Sequence, residues 1–252
     1  MPLPSAPGWQ LRRLSVCAST ELELEAWLRQ RQRQGRPLPA RLAVRADCQR
    51  HGRGQQGRPW SSPAGGVWMS AAFPWAEPPR PAGGGAALGL AVAVGLMLQL
   101  EPLGLAPQLK WPNDLLLDGR KLAGVLPRLR RRGQQVRWAQ VGLGINGINP
   151  VPAGAIGLAE ALLVDAPARG RRPWHPQAVP ARLQQRVLAA FDWAIAHAGA
   201  AETVRRLAEA RLRPMPAGLE HGGLHWQVEG LELDGALRLR RGPLRSRLQR
   251  SF

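Results

Sequence analysis

Leu24, Trp27 and Leu28 recur at helical spacing behind Thr20-Glu21-Leu22-Glu23, whose Thr-x-x-Glu pattern predicts a capping box opening a helix. Glu21, Glu23 and Glu25 at its start and Arg29, Arg31 and Arg33 at its end suit the helix dipole, and Gly35-Arg36-Pro37 predicts its stop. Apolar runs at Leu42–Ala46, Gly66–Phe73 and Val136–Val141 predict strands. Asp118-Gly119, between Leu115–Leu117 and Lys121–Leu126, predicts a two-residue hairpin turn needing positive φ. Ala86–Leu100 predicts a helix that is apolar on all sides. Its longest apolar stretch, Ala86–Leu98, carries Gly89 and Gly95 and falls short of the ~20 residues that span a bilayer, so burial is expected. Val179–Ala198, with Leu183, Val187, Leu188, Phe191 and Ile195 inward, and Ala201–Leu212 predict two further helices. Beyond Arg213-Pro214-Met215-Pro216 the pattern changes to short strands around Gly222-Gly223, Asp234-Gly235 and Gly242-Pro243. The organisation expected is a larger unit over 1–212 and a module over 213–252. A module of that size is stable only if docked.

Composition narrows the class. A chain of 252 residues with 44% hydrophobic residues supports one sizeable core, and its 29 glycines show no collagen-like period. Met1–Pro7 has neither a basic n-region nor an apolar h-region, so no secretory signal is expected. Cys17 and Cys48 make no disulfide framework and no metal quartet, which points to a reducing, cytoplasmic compartment and to no membrane association.

The formal charge of +18 favours acidic partners. Yet the basic residues are spread along the chain, with short clusters only at Arg130–Arg132 and Arg169–Arg172, and Tyr is absent. A general drift toward arginine therefore outweighs a nucleic-acid surface, which would interleave stacking aromatics. The drift makes the exceptions informative. Lys110 and Lys121 are the two lysines among 35 basic residues, and the three asparagines are Asn113, Asn146 and Asn149. Lysine is a compact charge on a flexible stem, able to follow developing charge where a planar guanidinium cannot.

Gly52-Arg53-Gly54-Gln55-Gln56-Gly57 matches the dinucleotide pattern G-x-G-x-x-G in letters only. That pattern needs a helix to receive the pyrophosphate, whereas Arg58-Pro59-Trp60-Ser61-Ser62-Pro63 follows. What it predicts is a mobile loop, with Arg53 and Arg58 aimed at anionic groups and His51 beside them. Lys110-Trp111-Pro112-Asn113-Asp114 precedes the hairpin bearing Arg120–Gly124. Two lysines, an amide and a carboxylate around one turn suit phosphate binding, with Asp114 available for Mg²⁺. His221-Gly222-Gly223-Leu224-His225 has ligand-like spacing, but no cysteine lies near it and Gly-Gly reads as a turn. Trp9, Trp27, Trp68, Trp138, Trp193 and Trp226 are expected in the core.

Gly52–Trp60, Lys110–Asp114, Arg120–Val125 and Gly142–Asn146, in this order, resemble the biotin–protein ligases, whose pattern is a GRGRRGRxW loop, KWPND, a KLAGIL-like strand and GxGIN. Ser19-Thr20 resembles the Ser-Thr-Asn motif of that family, and the tail is similar to its small C-terminal domain. The resemblance covers roughly residues 15–165 and implies an α+β fold: a mixed β-sheet flanked by helices, class II synthetase/biotin ligase-like, with a small C-terminal SH3-like β-barrel. It implies activation of biotin by Mg·ATP as biotinyl-5′-AMP, then transfer to a lysine of a biotin carboxyl carrier protein, commonly that of acetyl-CoA carboxylase. On this resemblance Lys121, Arg53 and Arg58 are catalytic. Ser19, Thr20, Gln49, Arg53, Gly54, Gln55, Lys121, Gly142 and Gly144 hold biotin. Arg58, Trp60, Lys110, Asn113, Asp114 and Asn146 serve the nucleotide, with Asp114 the candidate Mg²⁺ ligand.

Two departures stand out. Glu21 occupies the place of the motif's Asn, which weakens a biotin contact there. Gln55 and Gln56 replace two arginines, so the resemblance implies looser retention of the adenylate. Some relatives carry an N-terminal DNA-binding domain. The prolines among the 18 residues before Ser19 argue against one here, and no specific DNA binding is expected; homodimerisation stays open. The rival readings are a lipoate/octanoate–protein ligase or transferase of the same superfamily and, from another class, an Arg-rich nucleic-acid-binding protein.

Overall fold

The computed structural model describes residues 8–35, 41–75, 85–133, 135–163 and 173–250. Met1–Pro7, the Arg36-Pro37 helix stop and the Arg169–Arg172 cluster lie outside them. Seven strands form one mixed sheet in the order β1-β2-β3-β7-β6-β5-β4: β1 (Gln10–Cys17), β2 (Leu42–Gln49), β3 (Val67–Phe73), β4 (Gln108–Lys110), β5 (Asp114–Leu117), β6 (Arg120–Arg132) and β7 (Gln135–Ile145). β1 and β2 run parallel, joined by helix α1 (Thr20–Arg33); the other neighbours are antiparallel. The α+β class and mixed sheet are as expected. β1 escapes the sequence pattern because it is an edge strand, largely exposed, with Arg12-Arg13 interrupting its alternation.

The start of α1 needs a correction. Ser19, not Thr20, is the N-cap: its Oγ accepts from the Glu21 N–H at 3.3 Å. Thr20 becomes the first helical residue, and its hydroxyl is released for other work. Nor do Glu21 and Glu25 serve the helix dipole alone. One turn apart on α1, they form ion pairs with Arg128 and Arg130 of β6, which aligns the helix across the sheet.

Helix α2 (Ala86–Leu100) is the core. Twelve of its fifteen residues are buried. With the turn that follows it makes an 18-residue apolar stretch, 67% buried inside the protein. Its two glycines are notches. An added Cβ at Gly95 would stand 2.6 Å from the Ala190 carbonyl oxygen of helix α4 (Pro180–Ala196), and one at Gly89 would stand 3.0 Å from the Pro127 ring. Pro127 sits inside β6, where a missing N–H would ordinarily break a ladder. β5 last pairs at Gly124, so the proline faces an edge that no strand occupies.

A short helix α3 (Leu158–Ala161) and helix α5 (Ala201–Glu209) complete the larger unit, α5 ending three residues before the expected Leu212. The tail folds as a four-stranded antiparallel sheet of β8 (Leu219–His221), β9 (Leu224–Leu231), β10 (Leu237–Arg241) and β11 (Leu244–Leu248), in the order β11-β10-β9-β8. Trp226, Leu231, Leu237 and Leu239 join the main core. Gly235 packs on Ala86, and its carbonyl accepts from Trp111 Nε1 at 2.8 Å. Docking supplies what so small a sheet lacks alone.

The register of β1 on β2 pairs Val16 with Cys48 and Cys17 with Gln49, so the two cysteines point to opposite faces. Burial, with Glu23 nearby, pushes the Cys17 thiol up to about 11. At neutral pH it is inert packing.

A Gly95→Val substitution, forcing α2 off the Ala190 backbone, is expected to lower stability by about 1–3 kcal/mol, measured by urea denaturation.

Candidate active site

One irregularity in a hairpin creates the site. The Asp118-Gly119 turn has positive φ at both residues, 49° and 74°, as its sequence predicts. Beyond it, Leu117 pairs with Arg120 and Leu116 with Lys121, but Leu115 pairs with Ala123. Leu122 is therefore a bulged residue. Without the bulge Lys121, three positions from Gly124, would point to the opposite face. With it, Lys121 joins Asp114 and Gly124, and its ammonium lies 2.7 Å from the Asp114 carboxylate. The Lys121 backbone is held as well: its N–H donates to Gly154 O at 3.0 Å, and its carbonyl accepts from Ile156 N at 3.0 Å.

Beside this pair, Gly124 of β6 faces Gly144 of β7 across the ladder. Two facing glycines leave a flat strip of backbone, and the Trp60 indole lies on it. A Cβ at Gly144 would stand 2.7 Å from that ring, one at Gly124 3.0 Å. The Lys121 ammonium also sits over the indole, 4.8 Å from the ring centroid. Trp60 anchors the glycine-rich loop, which doubles back on itself through Trp60 N–H to Gly52 O at 2.9 Å and Gly54 N–H to Arg58 O at 2.7 Å. The loop expected to be mobile is thus internally hydrogen-bonded. Arg53 and Arg58 are exposed on it and have no carboxylate partner among the described residues.

At the opposite end a chain of polar groups fixes its own proton directions. Gln49 Oε1 accepts from the Thr20 N–H at 2.8 Å and from its hydroxyl at 3.0 Å. Gln49 Nε2 donates to Ser62 Oγ at 2.8 Å, and Ser62 donates to Trp60 O at 3.1 Å. Thr20's proton being committed, the 2.8 Å contact with Ser70 is made by the Ser70 hydroxyl donating to Thr20.

These groups line one cavity of about 210 Å³. Ser19, Thr20, Gln49, Arg53, Gly54, Gln55, Arg58, Trp60, Asn113, Asp114, Lys121, Gly142 and Gly144 all contribute to its wall. Lys110 and Asn146 do not. Lys110 is exposed at the end of β4, and Asn146 is buried behind the site, bonded to Asn149 and to the Lys121 carbonyl. Asn113, though in the wall, spends its amide on Val125 O at 2.7 Å. His51 is exposed and outside the wall. Glu21, which the sequence set aside as a departure from the motif, is in the wall, and sequence reasoning missed Ser70, a lone hydroxyl in an otherwise apolar strand, which is the signal that could have found it. Among the described residues no three His, Cys, Asp or Glu side chains gather as a metal cluster, so Asp114 fits a Mg²⁺ ion only as one carboxylate sharing it with bound phosphates.

Residues 26–146 match the biotin/lipoate A/B protein ligase family. The bifunctional ligase/repressor BirA of Bacillus subtilis is 37% identical over 116 residues, 45% of this chain and 34% of that protein. The chain thus aligns with about a third of that relative's length. The biotin–[acetyl-CoA-carboxylase] ligase of Mycobacterium tuberculosis is 32% identical over 172 residues, 65% of this chain and 60% of the relative. In three dimensions the chain is similar to the biotin protein ligase of Aquifex aeolicus solved with biotin and ATP, with a TM-score of 0.70 at 21% identity over 96% of both chains. At that identity the likeness shows the fold.

Gly144→Ala drives a methyl into the Trp60 ring and releases the loop that Trp60 anchors. Trypsin cleavage after Arg53 is expected to become several-fold faster than in the wild type while the far-UV circular dichroism stays unchanged.

Proposed function

We propose that this chain, whose residues 26–146 belong to the biotin/lipoate A/B protein ligase family, activates biotin with Mg·ATP and transfers it to a lysine of a biotin carboxyl carrier protein. The observation that carries this reading is one cavity with two unlike ends. Neutral hydrogen-bonding groups gather at Thr20, Gln49 and Ser70, and cations at Lys121, Arg53 and Arg58. That is the complement of a ligand with a polar ring at one end and a carboxylate at the other.

In the first step a carboxylate oxygen of biotin attacks the α-phosphorus of ATP and pyrophosphate leaves, giving biotinyl-5′-AMP. Both reactants are anions, so the site must hold positive charge where the two approach. Lys121 is already fixed there, between the Asp114 carboxylate and the Trp60 face. Arg53 and Arg58, without a carboxylate partner among the described residues, supply further positive charge. In the second step the amine of the acceptor lysine attacks the acyl carbon of the mixed anhydride and AMP departs. Mg²⁺ enters with the nucleotide as its counter-ion, with Asp114 the carboxylate nearest the cationic end. The four-stranded tail is read as the family's SH3-like module over 213–252, and two cysteines on opposite sheet faces support a reducing, cytoplasmic setting.

The test is biotin transfer to a carrier domain with Mg·ATP. Lys121→Arg places a wide planar cation where the bulge presents a compact one, and a loss of about 100-fold or more in transfer is expected, as for displacement of a charge by about 1 Å. Equal transfer by both proteins would reduce Lys121 to an exchangeable charge. No transfer by the wild type would reject the reading.

Gln55 lies in the cavity wall where the ligase motif has arginine. Wild-type protein is expected to label a lysine-rich bystander protein with biotin more extensively than Gln55→Arg does, as read by streptavidin blot.

A further inference from the structure

The cavity wall contains two carboxylates among the described residues, Glu21 and Asp114. Asp114 belongs to Lys121. Glu21 stands at the other end, beside Ser19 and Thr20, where α1 begins. One of its oxygens lies 2.8 Å from the Arg128 guanidinium; the other has no partner among the described residues. Its side chain is only 13% exposed. A half-paired carboxylate in a partly closed cavity is costly unless a donor meets the remaining oxygen.

Thr20 and Ser70 cannot be that donor. The Thr20 hydroxyl is committed to Gln49, and the Ser70 hydroxyl to Thr20. What this end still offers is acceptor capacity at Glu21 and at the Ser70 lone pairs. Its unused donors are the Ser19 hydroxyl and the second N–H of Gln49. A ligand ring that brings two N–H donors and one carbonyl acceptor matches that remainder. A dithiolane or an alkyl chain does not match it.

We propose that Glu21, held by Arg128, is a specificity-determining residue that accepts a ring N–H of a cyclic urea and so selects this class over carboxylic acids whose far end lacks N–H donors. The assignment rests on the biotin reading above. It also gives a role to the departure at residue 21: a carboxylate in place of an amide, with Arg128 keeping it ionised and aimed.

ATP–pyrophosphate exchange tests the proposal with biotin and with two analogues, each having one ring N–H replaced by oxygen at unchanged shape. In the wild type one analogue is expected to show a KM about 10- to 100-fold above that of biotin, the range of a hydrogen bond to a charged group. Glu21→Leu is expected to raise the biotin KM by a similar factor, to leave kcat within about threefold because the contact is remote from the reacting carboxylate, and to abolish the discrimination against that analogue. Glu21→Gln breaks the same ion pair but keeps an acceptor oxygen, so it retains the discrimination. A purely structural role would make Gln and Leu behave alike. Wild-type biotin KM and undiminished discrimination in Glu21→Leu would overturn the inference and leave the ligase reading intact. Absence of exchange with biotin in the wild type would overturn both.

Discussion

Much of the site depends on the absence of two side chains. Gly124 and Gly144 face each other across β6 and β7, and the bare backbone between them is the seat of Trp60. The indole in turn carries the Lys121 ammonium and ties down the loop bearing Arg53 and Arg58. Remove the seat and cation, loop and cavity wall lose their common reference. The strength of the arrangement is not in any single contact, since a cation over an indole contributes about 0.5–2 kcal/mol. It lies in several weak contacts sharing one rigid ring, whose position the sheet sets.

Charge is organised on the same frame. The formal charge of +18 describes a chain with a large arginine excess, yet close to the cavity the arginines are mostly spoken for. Arg128 and Arg130 hold Glu21 and Glu25, and Arg120 holds Glu160 at 2.6 Å. Arg53 and Arg58 are the exceptions, and they stand at the cavity. Half-exposed ion pairs of this kind add little to stability, about 0–1 kcal/mol each. Their effect here is geometric: they orient α1 over β6 and leave the unpaired cations in one place.

Much of this was legible in the sequence. The hairpin turn at Asp118-Gly119, the buried helix Ala86–Leu100 and the core tryptophans Trp9, Trp27, Trp68 and Trp226 follow from local chemistry and apolar period. Composition singled out Lys110 and Lys121 alike, and of the two only Lys121 lines the cavity. The other survivors were legible for a different reason. Asn113, in the cavity wall, spends its amide on the Val125 carbonyl, and Asn146 and Asn149, outside the wall, bond to backbone and to each other. What the sequence concealed were matters of register and pairing. The bulge at Leu122 has no local signature, although it decides which face Lys121 takes. The cap falls on Ser19 instead of Thr20 because Thr20 is claimed by Gln49 and Ser70, partners 29 and 50 positions away. β1 has too few inward residues to show a period.

Pro127 has a consequence for the whole molecule. Because β5 last pairs with β6 at Gly124, the remaining half of β6 presents a strand edge without a neighbouring strand among the described residues, and Gly85 and Gly89 approach it at Pro127. Farther along, that edge runs through Arg128, Arg130, Arg131 and Arg132. The outer strand of the main sheet carries Arg12 and Arg13, and the outer strand of the small sheet carries Arg245 and Arg247. A proline and charged side chains along a strand edge are what discourage one sheet from extending onto another. On these edges the arginines act as insulation: a second chain's strand would have to desolvate Arg12 and Arg13 and displace the ion pairs of Arg128, Arg130, Arg245 and Arg247 before it could pair.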